Sequence, residues 1–191
     1  MSTIKITDAT VEPITLQAAK DHLRETLIDT ANDDLIQALI KTVRQAAEDR
    51  LGRTLLRTTW RRILPAFPAG GIKLYRPAII DIEWLKYIDQ DGAEVTMNPS
   101  DYLLADGLEP GELWPAYGTT WPVARLQHGA VAVQYRAGYG DAADAVPAPI
   151  VHWMKLALTD LYENRARSSE RPSLPQDFAD GLLDVYRVWS V

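Results

Sequence analysis

The side chains able to do chemistry in this sequence are few and scattered. The chain contains no cysteine, which excludes disulfides, thiolate metal sites, iron–sulfur clusters and a cysteine nucleophile. Its three histidines, His22, His128 and His152, lie far apart in the sequence and follow no metal-ligand spacing. We interpret them as ordinary solvated or packed histidines.

Two short patterns could mark an active site. Asp81 and Glu83 are two residues apart in a predicted strand, so they share a face, as a pair of catalytic carboxylates could. Gly138 and Gly140 lie between a predicted strand and a predicted helix, but no Gly-Lys-Ser/Thr follows, as a phosphate-binding loop requires. A solvated strand face and a strand-to-helix turn explain both patterns. We therefore predict no catalytic residue, no cofactor and no bound metal.

Tryptophan is abundant, with six residues in a chain of 191. Two of them, Trp114 and Trp121, each precede a proline within a stretch rich in glycine and proline. Large rigid aromatic residues are common in interface hot spots, and they also pin long loops onto sheets. We treat Trp114 and Trp121 as candidate interface residues, with loop pinning as the alternative.

The elements that must position these residues begin with two helices. Thr15 is a suitable N-cap for a first helix that apolar spacing extends to about residue 27. A second helix starts at the acidic pair Asp33 and Asp34, and Gly52 ends it. The sequence therefore predicts an N-terminal helix pair.

A β region and two further helices follow. Strands are predicted from β-branched and aromatic content at 54–64, 72–75, 80–88, 94–97, 102–104 and 130–135. Asp91-Gly92 predicts a type I′ hairpin turn, whereas residues 105–129 hold too many glycines and prolines for a long regular element. Pro147 and Pro149 open a third helix, and a final helical segment starts at Pro175. We predict an α+β fold with an N-terminal helix pair, a central antiparallel β region and two C-terminal helices.

Length and composition are those of a globular domain. The chain is 47% hydrophobic and 24% charged, and a domain typically holds about 150 residues. We predict a single domain over 1–191, in which 1–53 and 146–191 form the helical part and 54–137 form a β-rich insertion. No secretory signal and no apolar run of membrane-spanning length is seen in the sequence, so we expect a cytoplasmic protein without a membrane partner.

Charge is distributed unevenly along the chain. The net charge of −6 argues against a dedicated DNA-binding surface. Residues 53–76 hold six basic and no acidic side chains, whereas 77–150 hold three basic and eleven acidic ones. The two stretches either offset each other within the fold or form separate patches that meet opposite patches on another subunit.

Several short pieces occur in an order that spans nearly the whole chain. They are Pro13-Ile14-Thr15-Leu16, the helix from Leu35 to Leu51 with Gly52-Arg53, Trp60, Arg76-Pro77-Ala78, Tyr135 to Asp141, Val146-Pro147-x-Pro149-Ile150 and Tyr162-Glu163-Asn164-Arg165. In this combination the sequence resembles the head-tail connector (adaptor, or head-completion) proteins of tailed bacteriophages and prophages. Small connectors of this kind are largely helical, so the β-rich region corresponds to a larger version with a strand-rich insertion.

The resemblance implies a structural protein without enzymatic activity. Such a protein forms a ring under the portal, dodecameric to match it, extends the DNA channel and provides the docking surface for the next tail or stopper protein. It assembles in the host cytoplasm and ends in the virion neck, close to double-stranded DNA that it does not bind specifically.

The resemblance also implies site residues. Related connectors engage the portal through their C-terminal region, which makes Tyr186, Arg187 and Trp189 candidate portal-docking residues; completion of the core is the alternative role of this segment. An acidic lining would let DNA slide without binding its phosphates. The candidate channel-facing side chains are Asp89, Asp91, Glu94, Asp101 and Asp106.

Two other functions stay open at this point. A Trp-rich carbohydrate- or peptide-binding accessory module would use the irregular stretch and remain a monomer or small oligomer. An acidic hydrolase would use Asp81 or Glu83, but it lacks a recognisable combination of nucleophile, base and orienting group. Only the connector interpretation expects a ring or capture by a portal.

Overall fold

The computed structural model describes residues 2–25, 30–105, 107–163 and 181–189. They form two compact units: a β unit of residues 2–9 and 57–139, and a helical unit drawn from residues 10–56 and 140–189. Helices and antiparallel sheets occur together, which confirms the α+β class. The assignment of the whole chain to one domain stays a prediction. None of the described helices is long and apolar enough to cross a membrane.

In the part of the helical unit that the structure describes, the helices are α1 (Leu16–Leu23), α2 (Asp33–Leu51) and α3 (Ala148–Glu163), and residues 181–184 are helical as well. The Oγ1 of Thr15 accepts a hydrogen bond from the backbone N–H of Ala18 at 3.2 Å, so the predicted N-cap is confirmed. Gly52 ends α2 with a positive φ of 68°, as its lack of a Cβ allows.

The predicted end of α1 at about residue 27 was wrong. The helix stops at Leu23 because Arg24 adopts a left-handed conformation with φ 58°. The backbone N–H groups of Arg24 and Glu25 then donate to the carbonyls of Asp21 and Lys20, which closes the last turn. Leu27, part of the predicted apolar stripe, lies outside the described residues.

The described residues of the β unit form eight strands. They are β1 (Ser2–Thr7), β2 (Thr58–Leu64), β3 (Ile72–Leu74), β4 (Ile79–Ile88), β5 (Glu94–Thr96), β6 (Tyr102–Ala105), β7 (Gly111–Pro115) and β8 (Val131–Ala137). Five of them form an antiparallel sheet in the order β1-β2-β8-β4-β5, and three form a second sheet in the order β3-β7-β6.

The core of the β unit is formed by one face of each sheet. Alternate residues of β2 and β8 are buried, as expected for strands with one face against a core. Tyr135 is the largest fully buried side chain, and its hydroxyl donates to the carbonyl of Tyr75 at 2.7 Å. Burial raises the pKa of the Tyr135 hydroxyl well above its usual range. The other core residues are Trp60, Leu64, Ile72, Leu74, Leu85, Leu113, Val131, Val133 and Ala137.

Two strands were missed by the sequence analysis, and one began later than predicted. β1 lies before the first predicted element, and β7 lies inside the stretch predicted to be irregular. Gly111 of β7 has a packing role, because a Cβ there would come within 2.6 Å of the Cγ1 atom of Ile79. β2 starts at Thr58 rather than at residue 54, since residues 54–56 belong to the helical unit.

The β4–β5 hairpin is confirmed, but its predicted turn type was wrong. A type I′ turn needs positive φ at both central residues, and of Asp91 and Gly92 only Gly92 has it, at 93°. The backbone of Asp89 instead pairs with Ala93, which leaves a three-residue loop between them. The Asp89 carboxylate accepts hydrogen bonds from the N–H groups of Asp91 and Ala93, and this bonding stabilises the loop.

Candidate functional site

The C-terminal segment 181–189 is bound to the end of α2 through its backbone. Leu183 is 2% exposed. The Nε of Arg53 donates to the carbonyl of Tyr186 at 2.6 Å, and the N–H of Val188 donates to the carbonyl of Leu51 at 2.8 Å. These bonds fix the path of the segment on the helical unit.

The side chains at its end project into solvent. Trp189 is 66% exposed, and the guanidinium of Arg187 lies 4.6 Å from the centre of the Trp189 ring. Tyr186 is half-buried. The three candidate portal-docking residues are therefore adjacent on an anchored backbone, two of them exposed, and their docking role stays a prediction.

A buried cluster of charges lies at the C-terminal half of α2. Arg44 and Glu48 are 4% and 2% exposed. The Nε of Arg44 lies 2.8 Å from Oε2 of Glu12, and its Nη1 lies 3.5 Å from Oε2 of Glu48. Oε1 of Glu48 accepts from the N–H of Leu55 at 3.0 Å. The cluster thus joins α2 to the chain before and after it.

The sequence analysis missed this cluster, although a signal was present. Arg44 and Glu48 are four residues apart and lie on the helix face that carries Ile40, Val43 and Ala47. Charged residues on the apolar face of a helix indicate buried partners, because a buried charge without them is costly.

Trp114 and Trp121 both lie against the Gly70-Gly71 turn. Nε1 of Trp121 donates to the carbonyl of Gly70 at 2.9 Å, and its ring stacks on Phe67 with centroids 5.0 Å apart. Nε1 of Trp114 donates to Glu112 at 2.9 Å, and a Cβ at Gly71 would lie 2.5 Å from that atom. This packing of Trp121 matches the loop-pinning alternative, and an interface role for either residue stays a prediction.

The described candidate channel-facing acids lie in two regions of the β unit: the β4–β5 hairpin and the short helix before β6. Asp89 stabilises the hairpin loop, Asp91 is exposed in it, and Glu94 pairs with Lys86 at 2.6 Å. Asp101 lies in a short 3-10 helix (Pro99–Asp101), where its carboxylate accepts a hydrogen bond from the Ser100 hydroxyl at 3.3 Å. Asp106 lies outside the described residues. Nothing in these contacts places the acids in a channel.

Asp81 and Glu83 are engaged in ion pairs on the outer face of the large sheet. Arg136 binds Asp81 through two N–H donors, one of them at 2.7 Å, and its Nε lies 3.6 Å from Oε1 of Glu83. Gln134 donates to Glu83 at 2.7 Å and accepts from Arg61 at 2.8 Å. This chain of contacts crosses β2, β8 and β4, so it has a structural explanation.

The pKa of Asp81 lies below its ordinary value, chiefly because Arg136 donates hydrogen bonds to the carboxylate. The contact between Asp81 and Arg136 therefore stabilises the fold fully above the pKa that Asp81 has in the unfolded chain. This stabilisation is lost as the pH falls through the pKa of Asp81 in the folded protein. We expect Asp81→Asn to flatten the loss of stability between about pH 5 and pH 2. The effect should be below about 1 kcal/mol because the pair is solvent-exposed.

Urea unfolding at a series of pH values measures this effect. Arg136→Met removes the main donor and should also flatten the acid dependence, but less than Asp81→Asn does, because Arg57 still lowers the pKa of Asp81. An unchanged acid dependence in both variants would mean that the pair does not affect the unfolding equilibrium.

No metal site is present in the described part of the chain, where no three His, Asp or Glu side chains come together as ligands would. His128 and His152 are exposed, and His22 is half-buried.

Comparison with known proteins supports the fold over the full chain. No family model matches the sequence, and no curated protein matches it. One similar solved structure is a chain of the virion of a native gene transfer agent (GTA) particle, with a TM-score of 0.82 and 20% identity. Another is from the neck of the empty GTA particle computed with C6 symmetry, with a TM-score of 0.83 and 20% identity. A third is from the neck of the native GTA particle computed with C12 symmetry, with a TM-score of 0.76 and 21% identity.

Each of these matches covers 100% of this chain and 97% of the other. At this level of identity the likeness concerns the fold. The chain has the fold of components of a GTA neck, and the resemblance to head-tail connectors is confirmed at that level.

Proposed function

We propose that this protein is a structural, non-enzymatic component of the neck of a phage-like particle, in which it forms a ring. The proposal is based on one observation: the fold of this chain is similar, over its full length, to the fold of chains from a particle neck. The likeness covers both units, so the proposal concerns the whole chain. The ion pairs around Asp81 and Glu83 give those carboxylates a structural role and so favour this proposal over an acidic hydrolase.

In finer detail, we propose a ring of twelve copies beneath the portal. The C12 symmetry applied to the native GTA neck supports this number, and heterologous contacts close into rings when the rotation fits. The ring would extend the DNA channel and carry the next tail or stopper protein. The exposed Arg187 and Trp189, on a segment anchored by its backbone, support the C-terminal end as the portal-docking surface.

The mass of the protein, measured over a range of concentrations, tests the proposal. We expect a ring, or capture of the protein by the portal ring of the same particle when that ring is added. A carbohydrate- or peptide-binding module would remain a monomer or small oligomer under both conditions. That result would overturn the proposal.

A charge-reversal experiment tests whether the hairpin acids face DNA. We expect Asp91→Lys with Glu94→Lys to raise the affinity of the assembled ring for double-stranded DNA at low salt. Each new phosphate contact should steepen the slope of log affinity against log salt by about 0.9. Asp89 is kept because its carboxylate stabilises the loop.

The matched control reverses the same number of charges at the exposed Asp21 and Asp184 of the helical unit. It should leave the salt slope unchanged. An unchanged slope in the hairpin variant as well would show that the hairpin does not face DNA.

A further inference from the structure

The loop before β8 has a tip, residues 123–128, whose backbone is bonded to the large sheet. The N–H of Arg125 donates to the carbonyl of Ile88, the last residue of β4, at 2.9 Å. Val123 and Leu126 are nevertheless 68% and 85% exposed. Exposed apolar side chains on a fixed backbone are typical of an interface, because little conformational freedom is lost when they bind. This loop tip is therefore suited to docking.

A small pocket, which we call the β4 pocket, lies at the start of β4. It has a volume of about 200 Å³. A cavity of about 150 Å³ is large enough for benzene, so the β4 pocket has room for a leucine side chain. One of its lining residues, Leu108, is 47% exposed, which leaves the pocket open to solvent. The aliphatic part of the lining consists of Pro77, Ala78, Ile79, Leu104, Ala105 and Leu108.

The loop tip and the β4 pocket lie at opposite ends of the β unit. Strands β4 and β8 are paired from Tyr87 opposite Val131 to Ile79 opposite Ala137. These two pairs are six residues of β8 apart, which corresponds to about 20 Å. The loop tip is bonded beside the first pair, at Ile88, and the pocket includes Ile79 of the second pair. The loop tip therefore does not reach the pocket of its own subunit.

One pair of opposite charges accompanies the apolar match. Arg125 of the loop tip is exposed, and its guanidinium forms no ion pair with the residues that the structure describes. Glu109 is an exposed member of the pocket lining. A contact that places Leu126 in the pocket brings these two charges into the same interface, which favours this pairing of surfaces.

From these observations we infer that the loop tip of one copy binds the β4 pocket of the next copy, with Leu126 inserted into the pocket. A contact between two different patches is head-to-tail, and it closes into a ring when the rotation fits. The occupant is a second copy of this chain because each copy offers both surfaces at opposite ends of its β unit. This inference rests on the proposed ring.

Disulfide cross-linking tests the contact, since the chain has no cysteine of its own. The variants are Leu126→Cys with Leu108→Cys, and Leu126→Cys with Ala105→Cys. Within one subunit the loop tip and the pocket are about 20 Å apart, which is too far for a disulfide. Oxidation should therefore link different copies into a ladder of covalent multimers in at least one of the two variants.

Mixing single-cysteine variants provides the matched control. Leu126→Cys alone should give no covalent dimer, and the single variant on the pocket side should give none either. Rings assembled from an equimolar mixture of the two should give covalent dimers and nothing larger, because each copy carries one cysteine. Dimers from Leu126→Cys alone would indicate that two loop tips meet, as in a two-fold dimer, and would overturn the inference.

A substitution at the loop tip provides a second test without oxidation. Leu126→Asp should raise the concentration needed for ring assembly about tenfold or more, because each contact would then bury a carboxylate in an aliphatic pocket. The stability of the fold should not change, because Leu126 is exposed. Leu126→Met is the conservative control and should assemble as the unsubstituted chain does. If Leu126→Asp also assembles as readily, Leu126 does not occupy the pocket and the inference is overturned.

Failure of the inference is distinguishable from failure of the proposed function. If the unsubstituted chain forms a ring and neither double variant gives a ladder, the inference is wrong and the ring proposal stands. If the unsubstituted chain stays monomeric and is not captured by a portal, the proposed function fails and the inference falls with it.

Discussion

Replacing Glu48 with alanine is expected to lower the free energy of unfolding by about 3–5 kcal/mol. Glu48 is 2% exposed, its Oε1 accepts from the N–H of Leu55, and its Oε2 lies beside Arg44. Removal of the carboxylate leaves the buried N–H of Leu55 without this acceptor and weakens the compensation of a buried guanidinium. Chemical denaturation monitored by circular dichroism measures the change.

Two further variants define the cause of that loss. Glu48→Gln keeps an oxygen that can accept from Leu55 but removes the charge, so it should cost less than Glu48→Ala. Lys41→Ala changes an exposed residue of the same helix and should change stability by less than about 0.5 kcal/mol. A loss below about 1 kcal/mol for Glu48→Ala would contradict the importance of the cluster.

The two roles proposed for the C-terminal segment are expected to belong to different residues. Leu183→Ala should lower the free energy of unfolding by about 2–5 kcal/mol, because Leu183 is buried. Trp189→Ala should leave stability nearly unchanged, because the indole is exposed. If Trp189 is a docking hot spot, its loss should weaken portal binding by about 2 kcal/mol, or about thirtyfold.

Thermal unfolding and a binding titration against the portal ring, done on both variants, provide the comparison. Val185→Ala is the matched control, since Val185 lies in the same segment and is exposed; it should change neither quantity much. Loss of stability in Trp189→Ala, or full-strength binding by that variant, would remove Trp189 from the docking surface. The first outcome would favour core completion as the role of the whole segment.

Much of the fold was readable from local signals. Thr15 caps α1 and Gly52 ends α2 because a side-chain acceptor and a positive φ act within one helical turn. The β4–β5 hairpin followed from Asp91 and Gly92 for the same reason, although the loop type depended on the carboxylate of Asp89. Such features depend on residues close in the chain, so the sequence alone can predict them.

Contacts between distant residues decided the elements that were missed. β1 is a strand because it pairs with β2, more than fifty residues away. β7 pairs with the nearby β6 and also with β3, which lies much earlier in the chain, and Gly111 lets Ile79 approach closely. Pairing of this kind depends on the partner strand, which composition near the strand does not reveal.

The position of the charges was likewise decided by the tertiary structure. The net charge and the uneven distribution of basic and acidic residues could be read from the sequence. The sequence did not show which charged side chains contact which partners. Arg53 binds a backbone carbonyl in the helical unit, whereas Arg62 lies over the ring of Tyr75 and Arg61 bonds to Gln134 in the β unit. A charged side chain is held by whichever groups the fold brings within a few ångströms, and only long-range packing determines those groups.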